Sequence, residues 1–138
     1  MKNIGVIIAG GSGRRLGSEL PKQLIVIAGK TVLAHTLHTF EKQKRIDEII
    51  IVVHKDYIGE TEEIVRLEGF QKVKHIVPGG KERYHSTLAA LNVYKEEKCN
   101  LIIHDAGRLL VTSQIIDDFI EALEIHEAGT TAIPSTYT

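Results

Sequence analysis

The strongest constraint on this 138-residue chain is a set of short β-branched stretches that are apolar at successive positions. Ile4–Ala9, Glu48–Val53, Val73–Val77, Leu101–His104 and Thr131–Ile133 are read this way. A strand that is apolar on both sides is covered on both sides, as in a parallel sheet packed between helices. The segments between them carry helical spacing. Leu33, Leu37 and Phe40 form one stripe behind Thr31 as a cap, and Leu88, Leu91 and Tyr94 form a second. Ile116, Phe119, Ile120 and Leu123 form a third, started by Thr112 or Ser113 and stopped by Gly129. Gly59–Gly69 shows a fainter periodicity of the same kind. Strand and helix in alternation predict an α/β, doubly wound fold: a Rossmann-like three-layer sandwich around a mostly parallel sheet. Such sheets bind ligands at the carboxyl ends of their strands.

Composition narrows the partners. The chain is long enough for one domain with a real core. Its 17 basic and 18 acidic residues nearly cancel, which argues against a broad electrostatic affinity for nucleic acid or for a membrane surface. Trp is absent and aromatic residues make up 5%, so stacking platforms for single strands are scarce. The single Cys99 excludes an intrachain disulfide and suits a reducing compartment. No apolar run is long enough to span a bilayer, and Met1-Lys2-Asn3 leads straight into the first strand. A cytoplasmic location is expected.

Four groups fall where strands end: the glycine loop after the first, His54-Lys55-Asp56 after the second, Gly79-Gly80 after the third, and His104-Asp105 after the fourth. The first is the most specific. Gly10-Gly11-Ser12-Gly13-Arg14-Arg15-Leu16-Gly17 is followed by Pro21-Lys22-Gln23. Glycines let backbone N–H groups approach an anion, and Arg14, Arg15 and Lys22 can neutralise what the amides cannot. A dinucleotide fingerprint fits poorly, because its third glycine falls on Leu16. A Walker A loop is excluded by the lack of a closing Gly-Lys-Ser/Thr. The simpler alternative is a tight turn with solvated arginines.

Asp105 either caps the chain's exit from its strand or carries a carboxylate into the site. A triphosphate site needs Mg²⁺ held by one or two carboxylates, and Asp105 is the candidate for that role. Gly79-Gly80-Lys81-Glu82-Arg83 opens a helix with Arg83 and Ser86 three apart. It is either a plain strand-to-helix turn with a Ser cap, or a nucleoside site where backbone groups and a hydroxyl read a base edge. His104 reads as a strand-end residue with a satisfied ring. None of the seven histidines sits at zinc-ligand spacing from Cys99 or a carboxylate.

Together these motifs resemble the cytidylyltransferases that act on small polyol phosphates, the 2-C-methyl-D-erythritol 4-phosphate and ribitol-5-phosphate cytidylyltransferases. The signatures are Ala9–Gly17, Pro21-Lys22-Gln23, Gly79–Arg83 with Ser86, and His104-Asp105-Ala106-Gly107-Arg108, in order over almost the whole chain. The resemblance implies a nucleotide-diphospho-sugar transferase-like fold, Mg²⁺ as cofactor, and CTP and a polyol phosphate as substrates. It implies that Arg15 and Lys22 stabilise the transition state as the acceptor phosphate attacks the α-phosphate. It places the nucleotide on Ala9, Gly10, Gly11, Gly13, Arg14, Gly80, Arg83, Ser86 and Ala106, and the metal on Asp105. Arg108 and Thr138 would serve the polyol phosphate. A homodimer and a role in isoprenoid synthesis are implied for the erythritol acceptor.

Three departures stand beside this. Gly107, Leu109 and Leu110 replace an Ala-Ala-Arg-Pro-Phe-like continuation, and Tyr137 stands where the family carries an acidic residue. The family also continues beyond position 138, with further strands, a dimerising arm and a second carboxylate for the metal. Residues 1–138 are therefore read as the nucleotide-binding part of a nucleotidyltransferase domain whose C-terminal part is absent. An inactive nucleotide-binding or dimerisation module is the alternative.

Overall fold

The computed structural model of the chain describes residues 1–9, 21–108 and 111–126. Four parallel strands form the central sheet: β1 (Lys2–Ala9), β4 (Glu48–Val53), β5 (Val73–Pro78) and β6 (Cys99–Asp105), in the order β5-β4-β1-β6. A small antiparallel ribbon, β2 (Val26–Ile27) with β3 (Lys30–Thr31), precedes the first helix. Ala28 and Gly29 at its tip both have positive φ, the condition for a two-residue turn that matches strand twist. Helices α1 (Val32–Lys42), α2 (Ile58–Glu68) and α4 (Ser113–Ile125) pack on one face, and α3 (Arg83–Tyr94) packs on the other.

The two central strands divide their side chains between these layers. Ile49, Ile51 and Val53 of β4 join Ile7 and Ala9 of β1 beneath Leu33, Leu37 and Phe40. Ile50 and Val52 join Ile4, Val6 and Ile8 beneath Ala90 and Tyr94. This period of two, apolar in both phases, produces the three-layer architecture expected from the sequence. Caps follow the local chemistry as well. The Thr31 and Thr112 hydroxyls accept from the Ala34 and Ile115 amides, and Gly69 ends α2 at φ 72°. Helices α1 and α2 are tied by Glu68, which accepts from Lys30 and His38. His38 and then Lys30 hold its carboxyl below the usual range.

Four expectations are corrected. Val73–Val77 is an edge strand rather than one buried on both faces, and Lys74 and His75 face solvent. Among the described residues Leu101–His104 lies on the opposite edge, with Ile103 exposed at 40%. Leu88 and Leu91 do not line the core, being 49% and 42% exposed. The buried face of α3 is Ser86, Ala90 and Tyr94, spaced four apart. The strands beneath already fill that layer with isoleucine and valine, so the first two turns of the helix approach through the small Ser86 and Ala90. Finally, α4 ends at Ile125 with His126 extended, before Gly129. Gly129 and the strand expected at Thr131–Ile133 lie outside the described residues.

Candidate functional site

The carboxyl ends of β1, β5 and β6 assemble one polar locus, built from the backbone upward. Pairing of β6 with β1 sets Asp105 opposite Ile8, and the Ala106 amide extends the ladder by donating to the Ile8 carbonyl at 2.9 Å. Ala106 is buried, and its carbonyl accepts from the Thr36 hydroxyl of α1 at 3.0 Å. A turn closes with Arg108 N–H donating to the Asp105 carbonyl at 3.1 Å. The His104 ring contacts the Arg108 carbonyl at 2.9 Å, so the ring is satisfied as expected. Asp105 is thereby fixed at the strand end with its side chain 35% exposed.

Its carboxylate is flanked by two guanidinium groups. Arg83, the first residue of α3, reaches Oδ1 from Nε at 3.2 Å and from Nη2 at 3.0 Å. Arg108 lies 3.5 Å from Oδ2 through Nε. The start of α3 is itself held tightly. Gly79 donates to the Val53 carbonyl, and a Cβ at Gly79 would stand 2.5 Å from the Ser86 hydroxyl. A Cβ at Gly80 would overlap the Cβ of His85. Both glycines are required by close approach. The helix is capped by Glu82 and His85 acting reciprocally, with Glu82 N–H donating to His85 Nδ1 at 3.1 Å. The Ser cap considered from sequence is not the one used. Ser86 is instead buried beneath the glycine turn.

Lys22 completes the locus. Pro21 starts a single 3₁₀ turn, Lys22–Leu24, whose Leu24 amide donates to the Pro21 carbonyl at 3.0 Å. Gln23 is buried and donates from Nε2 to the Ala9 carbonyl at 2.9 Å, pinning the turn to the end of β1. The Lys22 side chain then lies along Gly107, where a Cβ would sit 3.5 Å from Lys22 Cδ and Cε and 3.6 Å from Nζ. The lysine side chain thus runs against the turn that follows Asp105. Preplaced cations of this kind stabilise negative charge that develops on phosphate oxygens.

The described residues therefore bring together Ala9, Lys22, Gly80, Arg83, Ser86, Asp105, Ala106 and Arg108. Gly10, Gly11, Gly13, Arg14, Arg15 and Thr138 lie outside them. Three contributors were not singled out from sequence: Gln23, Thr36 and His85. Thr36 had a legible signal, a polar residue one position from Leu37 on the buried side of an amphipathic helix. Covalent catalysis finds no support in the only cysteine. Cys99 begins β6, at the far end of the sheet, and burial pushes its thiol up.

The family described as IspD, 2-C-methyl-D-erythritol 4-phosphate cytidylyltransferase, matches residues 4–138. The chain belongs to this family. Within the IspD family, 2-C-methyl-D-erythritol 4-phosphate cytidylyltransferase of Bifidobacterium longum is 37% identical over 98% of the chain and 48% of its own length. A bifunctional ribulose 5-phosphate reductase/CDP-ribitol pyrophosphorylase of Haemophilus influenzae is 48% identical over 99% of the chain, covering 29% of that protein. A crystal structure of a 4-diphosphocytidyl-2C-methyl-D-erythritol synthase superposes with TM-score 0.80 at 28% identity, covering 99% of the chain and 62% of that structure. Another, from Anaerococcus prevotii, gives 0.72 at 29% identity over 88% of the chain and 50% of its own. The IspD-family chain thus spans between three-tenths and three-fifths of these relatives' lengths. Its α/β sandwich is that of the solved IspD synthases.

Proposed function

We propose that this chain forms the nucleotide-handling part of a cytidylyltransferase that moves CMP from CTP to a polyol phosphate, with release of pyrophosphate. The observation that carries the reading is the lodging of Lys22 against the Asp105–Arg108 turn in a chain of this family. An acceptor phosphate oxygen attacks the α-phosphorus of CTP, the bond from that phosphorus to the bridging oxygen breaks, and its electron pair leaves with pyrophosphate. Lys22, with Arg15 from the glycine loop, stabilises the charge that builds on the α-phosphate and on the departing group. Gly80, Ser86 and Ala106 belong to the nucleoside end, and Arg108 and Thr138 to the acceptor.

Asp105 is the carboxylate suited to Mg²⁺, a hard oxygen donor at a strand end, with nucleotide phosphates and water as the remaining ligands. Among the described residues no cluster of three His, Cys, Asp or Glu side chains forms a self-sufficient metal site, so a cation here would depend on the nucleotide's oxygens. Bound, the ion would neutralise triphosphate charge. The remaining steps fall to the chain's own lysine and arginines.

The acceptor assigned first is 2-C-methyl-D-erythritol 4-phosphate, which places the protein in isoprenoid synthesis. Ribitol 5-phosphate is the second reading, favoured by the 48% identity to a protein named for CDP-ribitol formation. A homodimer working in the cytoplasm fits both. No helix among the described residues is long and apolar enough to cross a membrane. The test is pyrophosphate release from CTP and Mg²⁺ with each acceptor in turn. Release with the erythritol phosphate supports the first reading, release with ribitol phosphate alone supports the second, and release with neither overturns the transfer reading.

A further inference from the structure

The carboxylate suited to the cation is already occupied, and by side chains of two different loops. Asp105 Oδ1 accepts from Arg83 Nε at 3.2 Å, with Nη2 of the same guanidinium 3.0 Å away as an ion-pair contact, while Oδ2 faces Nε of Arg108. This charge-assisted contact, one hydrogen bond with a second nitrogen alongside, is closer than the single 3.5 Å approach of Arg108. Arg83 has room to leave. Its side chain is 60% exposed, and it opens α3 immediately after the Gly79-Gly80 turn.

We infer that Arg83 is a counter-ion that exchanges partners, guarding Asp105 until a divalent cation arrives with the nucleotide and then turning to the triphosphate. This rests on the reading of Asp105 as the metal carboxylate, and it assigns Arg83 a positioning role. Two like charges cannot share one carboxylate oxygen at contact distance, so the cation and the guanidinium compete. The competitor is released only where a second anion can take it, and the triphosphate supplies one. Metal and nucleotide binding become coupled: either ligand alone opens the pair at a cost that the other removes. The device keeps a lone carboxylate from collecting divalent ions when no nucleotide is present.

The prediction is read with Mn²⁺ as probe, by the loss of the free-ion electron paramagnetic resonance signal on titration of the folded chain without nucleotide. Arg83→Gln is expected to bind Mn²⁺ about fivefold more tightly than the unmodified chain. The same variant should bind CTP more weakly in EDTA, because the guanidinium no longer meets the triphosphate. Lys81→Gln removes the same charge from the same loop without touching Asp105, and should leave Mn²⁺ binding unchanged. Equal Mn²⁺ affinity in Arg83→Gln and the unmodified chain, or equal gains in both variants, overturns the exchange. Asp105→Asn separates this from the parent reading. If it leaves the protein-bound Mn²⁺–CTP complex intact, read by water-proton relaxation enhancement against a protein-free Mn²⁺–CTP control, Asp105 is not the metal carboxylate and both fall. If it abolishes that binding while Arg83→Gln gains nothing, the exchange alone fails.

Discussion

If the proposed transfer holds, Lys22→Ala is expected to lower the rate of pyrophosphate release from CTP by about a hundredfold or more, with a loss of CTP affinity of less than about tenfold. The asymmetry follows from where the charge is. On the proposed reading, the ground-state triphosphate would be spread over several cations and backbone amides, and one ammonium would be a modest share of the binding. As the α-phosphorus is attacked, charge moves onto its oxygens and the leaving pyrophosphate, and a preplaced cation there contributes far more. The side chain is also dispensable for folding. Gln23 and the 3₁₀ turn fix the segment, and Lys22 itself is exposed. The change therefore reads chemistry rather than stability, and Lys22→Arg should recover part of the rate. An unchanged rate in Lys22→Ala removes the lysine from the reaction.

Phe40→Ala produces the largest stability loss expected in the molecule, about 3–5 kcal/mol. The ring is fully buried on α1 and fills the layer above β1, where a Cβ at Gly5 would stand 2.7 Å from its Cδ2. It also lies 5.8 Å from the His104 ring, centroid to centroid, so the cavity would open beneath the strand that carries Asp105. Gly5 cannot fill the space, and the isoleucines of β1 and β4 are held by the sheet register. Domains of this size have about 5–15 kcal/mol in total, so the variant should unfold at far lower urea with an unchanged m-value. A loss under about 1 kcal/mol would mean that the core relaxes around the gap.

How far the sequence carried these conclusions differs from element to element. Ile49–Val53 was legible residue by residue because its burial on both faces leaves no polar position to confuse the period. Thr31 and Thr112 were legible because a cap is local chemistry. The face of α3 was not legible. Leu88, Leu91 and Tyr94 keep helical spacing, yet which face is buried depends on how bulky the opposing strands are, and that is a tertiary fact. The ribbon at Val26–Thr31 was missed for a related reason. Two residues per strand carry no periodicity, and Ala28 is an unusual residue for a positive φ.

The site divides in the same way. Lys22, Arg83 and Asp105 were found because charged groups after buried strands stand out against apolar runs. Their mutual arrangement was not legible. The Arg83–Asp105 pair joins residues 22 positions apart through sheet order, and the Gln23 clamp depends on the end of β1 lying directly beside the 3₁₀ turn. Gly107 was noted only as a departure from the family's pattern, and the structure shows the lysine running along it.

On the proposed function, this chain holds CTP selectively at the carboxyl ends of its strands. Calorimetric titration of CTP with Mg²⁺ into the folded 138-residue chain, with ATP and UTP as controls, tests it directly. Saturable binding of CTP with clear preference over both controls is expected. Equal binding of all three, or no binding of CTP by a demonstrably folded chain, would contradict it.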